Sequence, residues 1–334
     1  VGAIKTAYCD AYFPSKHLLK PIHGEVPMVR TFLTFITAIV VLWLGISVLY
    51  LPRYATTVGD NPVTKTPLER GVHYDDVTIT SDELALPGWW MPAENPRAAL
   101  MFVHGAGSNR TSHFIDSLNL YAALVNEGIS VLTVDLRNHG NAPKTDGYLT
   151  MGISESRDVF AMSRWLDDQV PRTLPRLVMG ASMGGATIIQ ALAQGLQVSG
   201  IILLDPALNT VDSLMHGAKV TTHLPASLFL PFAWATSTFY GLPTGDTDTA
   251  RLAEQIQQPL LLIQDPDDPV TRLPFAQALA AANDHVQLAI AQSVPAHASC
   301  IQNKGRWGSH VAAFKCDNAW TLSEINRYIT GLAL

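Results

Sequence analysis

The chain has 334 residues, 48% of them hydrophobic and 15% charged, and its formal net charge is −6. This composition permits a large apolar core and excludes a disordered chain, and without a cluster of lysine and arginine it predicts no nucleic-acid partner. The three cysteines, Cys9, Cys300 and Cys316, form no pattern with zinc-ligand spacing, so we expect no metal site. The sequence carries no signal for an oligomeric state.

The N-terminus precedes a hydrophobic span. Residues 1–30 have no strong period, and because the chain opens on valine we interpret them as an upstream extension, with Met28 as an alternative start. Residues 31–51 are uncharged and apolar, and as a helix they would be ~31 Å long, the thickness of a bilayer core. No small-residue cleavage site follows. The stretch predicts a transmembrane signal anchor, with a buried core helix as the alternative.

A segment rich in proline and threonine follows over residues 52–70 and predicts a linker. The distribution of basic residues around the span slightly favours a cytoplasmic N-terminus. We therefore expect a single-pass protein whose C-terminal domain lies outside the cytoplasm.

Residues 71–334 alternate short apolar runs with helical patterns. Eight strands are predicted, over residues 72–80, 84–91, 98–103, 129–134, 177–179, 200–204, 259–263 and 286–290. Strands that alternate with helices predict an α/β domain, with a mostly parallel eight-stranded sheet covered by helices.

A Gly-x-Ser-x-Gly motif stands between the fifth strand and a helix, with Ser182 at its centre. In this context the motif is typical of a nucleophile elbow, a turn so sharp that the serine is strained. Gly180 and Gly184 are expected because a β-carbon at either position would collide with the neighbouring strand or helix. The alternative is a turn that only connects two elements.

Three further motifs occur in order: His-Gly-Ala-Gly from His104, Asp-Leu-Arg-Asn-His-Gly from Asp135, and Asp-Asp-Pro-Val from Asp267. With the elbow, they make residues 71–334 resemble the α/β-hydrolase superfamily, and the preceding span is similar to its membrane-anchored serine hydrolases. The resemblance implies an α/β-hydrolase fold with a short cap inserted at residues 209–258. Asn138 stands where the family usually has glycine, and asparagine tolerates the left-handed conformation required there.

The resemblance implies a catalytic triad in the chain order Ser, Asp, His. Ser182 is the expected nucleophile. The acid is expected among Asp265, Asp267 and Asp268, and the Asp-Pro-Val that begins at Asp268 favours this residue. The base is expected at His310 or His297, and His310 is favoured because its loop leads directly into the closing helix.

The same resemblance implies an oxyanion hole formed by the backbone N–H groups of Met183 and Ala106. His104 is expected to have a structural role. The glycine-rich turn after it is too short for a dinucleotide fingerprint, so we expect no cofactor. Cys300 and Cys316 bracket His310, and in an oxidising compartment a disulfide between them would hold this loop; two free thiols are the alternative.

These features together predict a serine hydrolase that cleaves a carboxylic ester or thioester with an apolar acyl group, a small-molecule or lipid-like substrate. The apolar segment 224–240 is expected either to line an acyl pocket or to pack on the sheet with nothing bound. A peptidase or amidase with the same triad, and a binding protein without activity, are the alternatives. A dehalogenase would have aspartate at position 182.

Overall fold

The computed structural model describes residues 27–302 and 307–332. Most of the expected N-terminal segment, together with Cys9, lies outside the described residues. The chain divides into two compact units, Val1–Trp43 and Leu44–Leu334.

An apolar helix leads into the second unit. Helix α1 covers Pro27–Gly45, a π-helical turn covers Ile46–Tyr50, and α2 covers Leu51–Thr56. The stretch Met28–Thr56 is long and apolar enough to cross a membrane, judged by its length and composition. The helical structure thus extends to Thr56, beyond the residues predicted as the span.

The expected linker over residues 52–70 begins as ordered structure. Pro52 lies in the first turn of α2, where the missing N–H of proline is tolerated. After the helix, the N–H of Val58 donates to Gly147 O at 2.8 Å, and the N–H of Leu149 donates to Thr56 O at 2.8 Å. The start of this segment is therefore a helix turn whose end is hydrogen-bonded to the domain.

The sheet has eight strands in the order β1-β2-β4-β3-β5-β6-β7-β8. The strands are β1 (Asp75–Ser81), β2 (Leu84–Met91), β3 (Ala98–Val103), β4 (Ile129–Val134), β5 (Arg176–Ala181), β6 (Gly200–Leu204), β7 (Leu260–Gln264) and β8 (Val286–Ile290). Strands β1 and β2 pair antiparallel, β2 pairs antiparallel with β4, and every later pairing is parallel. This architecture confirms the predicted fold class.

Helices cover both faces of the sheet. The larger ones are α3 (Ser117–Asn126), α4 (Ser156–Gln169), α5 (Met183–Ala193), α9 (Leu273–Ala282) and α12 (Asn318–Gly331), and the short ones include α10 (Ser299–Gln302) and α11 (Ala313–Cys316). One apolar core joins α4, α5 and α9 to the sheet, and a second joins α3 and α12 to its opposite face. The central strands are buried on both sides, which explains their continuous apolar sequence.

The chain between β6 and β7 forms the cap region. It contains α6 (Thr210–Thr222), a 3₁₀ turn (Ala226–Phe229), α7 (Leu230–Phe239), a second 3₁₀ turn (Gly245–Thr247) and α8 (Thr249–Ala253). Helices α6 and α7 pack on one another, whereas α8 packs against α5 and α9 of the body. The cap proper is thus α6 with α7, and the remainder of the insertion returns to the sheet.

A buried polar cluster lies where β3 and β4 end. The Arg110 guanidinium contacts the buried Asp135 carboxylate at 3.0 Å, and the N–H of Asn141 donates to the same carboxylate at 2.8 Å. The rings of His104 and His139 lie 5.1 Å apart beside this pair. Burial, followed by the neighbouring His139 charge, lowers the pKa of His104 to about 3. His104 is therefore a neutral imidazole throughout the physiological range.

A disulfide joins Cys300 on α10 to Cys316 on α11, with their Cα atoms 5.3 Å apart. The bond closes the loop that contains His310, which confirms the paired alternative over two free thiols.

The depressed pKa of His104 predicts a loss of stability in mild acid. Unfolding frees the imidazole to bind a proton near pH 6.5, whereas the folded protein binds it only near pH 3. The unfolded state therefore holds more protons within this window, so stability falls as the pH falls, by about 2 kcal/mol between pH 7 and pH 5. Urea unfolding at pH 7 and pH 5 measures how far the free energy of unfolding falls in the wild type and in His104→Asn, and the fall should be smaller in the variant. An equal fall in the two proteins would contradict the assignment.

Removal of the disulfide through the Cys300→Ser/Cys316→Ser double variant is expected to lower the free energy of unfolding by about 3 kcal/mol, because the unfolded chain regains loop entropy. Urea denaturation in non-reducing buffer measures the loss. Reductant should destabilise the wild type and leave the double variant unchanged, with Cys9→Ser as the control for the remaining cysteine. A double variant as stable as the wild type would show that the crosslink adds nothing.

Candidate active site

Ser182 lies in the tight turn between β5 and α5. Its backbone has φ 53° and ψ −118°, a conformation rare for any residue except glycine. The N–H of Ser182 donates to Leu204 O at 3.0 Å, and its carbonyl accepts from the N–H of Ala207 at 3.1 Å. These bonds to the β6 side of the sheet hold the strained turn that the motif predicts.

Two glycines make the turn sterically accessible. A β-carbon at Gly184 would lie 2.1 Å from the carbonyl oxygen of Val103 at the end of β3. A β-carbon at Gly180 would lie 2.6 Å from the carbonyl carbon of Gly184. Both distances are far below contact, so a larger residue at either position would push α5 away from the sheet.

His310 connects Ser182 with Asp268. Its Nε2 atom lies 3.0 Å from the Ser182 Oγ, and its Nδ1 atom lies 2.8 Å from Oδ2 and 3.1 Å from Oδ1 of Asp268. When Nδ1–H donates to the carboxylate, Nε2 is left to accept the proton of the serine hydroxyl. The structure thus brings the three favoured residues into one hydrogen-bonded line.

Asp268 is buried in the loop after β7 and is well supplied with donors. Its carboxylate accepts from the N–H groups of Val270 at 2.7 Å and Thr271 at 2.9 Å, and from the Thr271 hydroxyl at 2.8 Å. Burial acts to raise the pKa of this carboxyl, but the His310 charge and these hydrogen bonds outweigh it, and the pKa is lowered. The acid is therefore held as an anion beside the imidazole.

The two neighbouring aspartates shape this loop. Asp265 is buried, and its carboxylate accepts from the N–H of Asp267 at 2.9 Å. The side chain of Asp267 accepts from the Ser293 hydroxyl, and its carbonyl accepts from the Ser309 hydroxyl at 2.6 Å. Asp267 thus attaches this loop to the loop of His310, and the imidazole contacts the carboxylate of Asp268.

The competing histidine lies elsewhere. His297 is exposed in the segment before α10, and the contact with Ser182 belongs to His310. Of the two candidates for the base, only His310 lies in the geometry that a base requires.

The expected oxyanion donors flank the serine. Met183 is the first residue of α5, so its N–H is one of the unpaired donors of a helix N-terminus. On the other side, a β-carbon at Gly105 would lie 3.4 Å from the Ser182 Cβ, which places the glycine-rich turn directly against the nucleophile. Ala106 follows in this turn and lines the cavity.

His104 orients this turn from behind. Its Nε2 accepts from the N–H of Leu136 at 3.1 Å, so its Nδ1 carries the proton and donates to the carbonyl of Gly105 at 2.9 Å. The C=O and N–H of a trans peptide point in opposite directions. With the Gly105 carbonyl directed to the buried histidine, the N–H of Ala106 points away from His104.

A cavity of about 320 Å³ lies over Ser182 and His310. Its walls come from the cap, from the loops after the strands, and from α2. They include Phe229, Phe232, Leu214, Val270, Trp307, Met151, Leu51, Tyr54 and Ala55. None of the described residues that line it is an aspartate, glutamate, lysine or arginine, so the cavity suits an uncharged apolar group.

Sequence analysis missed the part of this wall that α2 provides. Leu51, Tyr54 and Ala55 line the cavity, although residues 31–51 are predicted as a span and residues 52–70 as a linker. No local pattern indicates this role, because it depends on how the end of the helix packs against the cap. Within residues 27–302 and 307–332, no group of three or more His, Cys, Asp or Glu side chains is placed to hold a metal ion.

Comparisons with known proteins agree with the fold. A family model described as Serine aminopeptidase, S33 matches residues 94–238. An uncharacterized protein of Rickettsia prowazekii is 27% identical over 93 residues, which cover 28% of this chain and 38% of that protein. The match thus spans well under half of that relative's length.

Solved structures resemble most of the chain. The esterase Pf2001 of Pyrococcus furiosus gives a TM-score of 0.65 at 23% identity and covers 83% of this chain and 97% of its own. The acylaminoacyl peptidase of Pyrococcus horikoshii gives a TM-score of 0.56 at 16% identity, and the match covers 77% of this chain and 42% of the peptidase. At these identities the likeness establishes a shared fold. The sheet order, the serine elbow and these matches together show that the chain has the α/β-hydrolase fold.

Proposed function

We propose that this protein is a serine hydrolase that cleaves a carboxylic ester or thioester with an apolar acyl group. The observation that carries the proposal is the line of contacts at the floor of the apolar cavity, from Ser182 Oγ to His310 Nε2 at 3.0 Å and from His310 Nδ1 to Asp268 at 2.8 Å. A serine hydroxyl is a weak nucleophile alone, and this arrangement supplies the base that activates it.

In the proposed reaction Ser182 attacks the acyl carbonyl while His310 takes its proton. Asp268 keeps the imidazole in the required tautomer and stabilises its positive charge. The N–H groups of Met183 and Ala106 bind the oxyanion. His310 then protonates the leaving alcohol or thiol as its bond to the acyl carbon breaks. Water next attacks the acyl carbon while His310 takes a proton from it, and His310 returns that proton to Ser182 Oγ as the carboxylic acid leaves.

The second candidate is a peptidase or amidase. The matching family model is named for an aminopeptidase, and one similar structure is an acylaminoacyl peptidase. An aminopeptidase must bind the free ammonium group of its substrate, and a buried ammonium requires a carboxylate partner. No described residue lining the cavity provides one, and this favours a neutral acyl group.

We also propose that the apolar helix is a retained membrane anchor and that the catalytic domain lies outside the cytoplasm. Its last turn, α2, supplies part of the cavity wall, which favours a helix that stays in the mature protein. The Cys300–Cys316 disulfide supports an oxidising compartment.

The triad is tested by substitution in the full chain, with p-nitrophenyl butyrate hydrolysis and fluorophosphonate labelling as measurements. Ser182→Ala and His310→Ala are expected to lower kcat by about 10⁶-fold and Asp268→Asn by about 10⁴-fold. Labelling should disappear in the first two, because both the nucleophile and its base are needed.

The matched control is His297→Ala, which removes an exposed histidine from the same part of the chain and should keep full activity. Activity that survives His310→Ala but not His297→Ala would transfer the role of the base. A folded wild type that neither labels nor hydrolyses esters would identify a binding protein instead of an enzyme.

The substrate class is tested by comparing p-nitrophenyl esters with leucine p-nitroanilide. We expect turnover of the esters and none of the aminoacyl anilide, since the cavity has no carboxylate for its ammonium group. The blocked acetyl-leucine p-nitroanilide separates the effect of charge from that of the amide bond. Turnover of the unblocked anilide at rates comparable to the esters would establish an aminopeptidase.

A further inference from the structure

The outer face of the cap is apolar. Residues 224–245 include no charged side chain, and five large apolar side chains of this segment are exposed: Leu224, Leu228, Leu230, Trp234 and Phe239. Trp234 is 54% exposed and Phe239 is 61% exposed, and their rings pack edge to face at 5.4 Å. Several large apolar side chains exposed on one short segment indicate a surface that contacts an apolar partner.

This face is continuous with the end of the apolar helix. Helix α7 packs against both the π-helical turn and α2. The hydroxyl of Tyr240 donates to Val48 O at 3.3 Å, and the Arg53 guanidinium lies 5.4 Å from the ring of Tyr240. Leu49 and Tyr50 of the turn are exposed as well. The helix end and α7 of the cap thus pack together, and both carry exposed apolar side chains.

The partner that fits this surface is a lipid bilayer. The helix Met28–Thr56 has the length and composition of a membrane span. A spanning helix is surrounded by lipid in every molecule. A second protein copy would have to displace that lipid. Tryptophan and tyrosine prefer the membrane interface, and the exposed Arg53 beside Tyr240 suits a lipid phosphate.

The mouth of the cavity lies on this same side. Tyr54 is 67% exposed and also lines the cavity, so it forms part of the rim. Thr221 of the cap is exposed and lines the cavity as well, and the buried Phe229 lines it further in. An acyl chain therefore has an apolar path from the surface between α2 and the cap to Ser182.

We infer that the cap docks into the bilayer beside the anchor and that the substrate is an acyl ester lipid drawn from the membrane. This inference rests on the proposed hydrolase activity for its substrate and on the anchor for its geometry. Docking places the mouth of the cavity within the layer that holds the substrate, so the ester need not cross water to reach Ser182.

The test uses the full chain reconstituted in phosphatidylcholine vesicles that contain a fluorogenic acylglycerol, with p-nitrophenyl butyrate as the soluble substrate. Leu230→Glu and Trp234→Glu place a charge on the docking face without touching the cavity. We expect hydrolysis of the vesicle lipid to fall about tenfold, because a charge opposes insertion, while hydrolysis of the soluble ester is unchanged.

The matched control is Leu68→Glu, at a leucine that is 55% exposed on the 3₁₀ turn Pro67–Arg70. It should hydrolyse both substrates as the wild type does. Cap variants that hydrolyse vesicle lipid at the wild-type rate, or that lose both activities equally, would overturn the inference.

A second readout does not depend on activity. The contribution of Trp234 to the fluorescence is the difference in emission between the wild type and Trp234→Phe, and in vesicles of brominated phosphatidylcholine it should be strongly quenched. The contribution of Trp320 on α12, obtained in the same way from Trp320→Phe, should not be quenched. Unquenched Trp234 would overturn docking even in an active enzyme. Quenched Trp234 in a protein that hydrolyses neither ester would support docking and reject the hydrolase proposal.

Discussion

The site depends on one close approach, that of the N-terminus of α5 to the end of β3. Gly184 has no room for a β-carbon because the Val103 carbonyl lies there. This contact forces the sharp turn that holds Ser182 at a positive φ, and it brings the turn at Gly105 against the serine. Ser182 and the glycine-rich turn beside it are therefore placed by the same steric constraint. If α5 and β3 moved apart, the turn at Ser182 and the turn at Gly105 would both lose their positions.

The second constraint is electrostatic. Burying the Asp268 carboxylate is costly, and the cost is offset by donors from Val270, Thr271 and His310, so that its pKa is lowered despite burial. His310 in turn occupies a loop fixed by the Ser309–Asp267 hydrogen bond and by the disulfide that brackets it. The imidazole of His310 is thus positioned from several directions at once, and its Nε2 lies at hydrogen-bond distance from the Ser182 Oγ.

The features that sequence reasoning reached are those in which local chemistry dictates local geometry. The glycines around Ser182, the asparagine at position 138, whose φ is 67°, and the apolar central strands each follow from their own residues and neighbours. The roles of Leu51 and Tyr54 did not follow in this way. They depend on a π-helical turn and on packing against α7, a tertiary contact that leaves no periodic trace. Proline and threonine after the span suggested a linker because composition does not distinguish a flexible segment from a helix end attached to the domain.

Because α2 lines the cavity, the end of the apolar helix is part of the candidate site. If the helix were only a tether, its end would be free to move relative to the domain. Here Arg53 lies over the rings of both Tyr148 and Tyr240, and the backbone of Thr56 and Val58 pairs with Leu149 and Gly147. The helix end is therefore held to body and cap together. A displacement of α2 would therefore move Leu51, Tyr54 and Ala55 and change the shape of the cavity over Ser182.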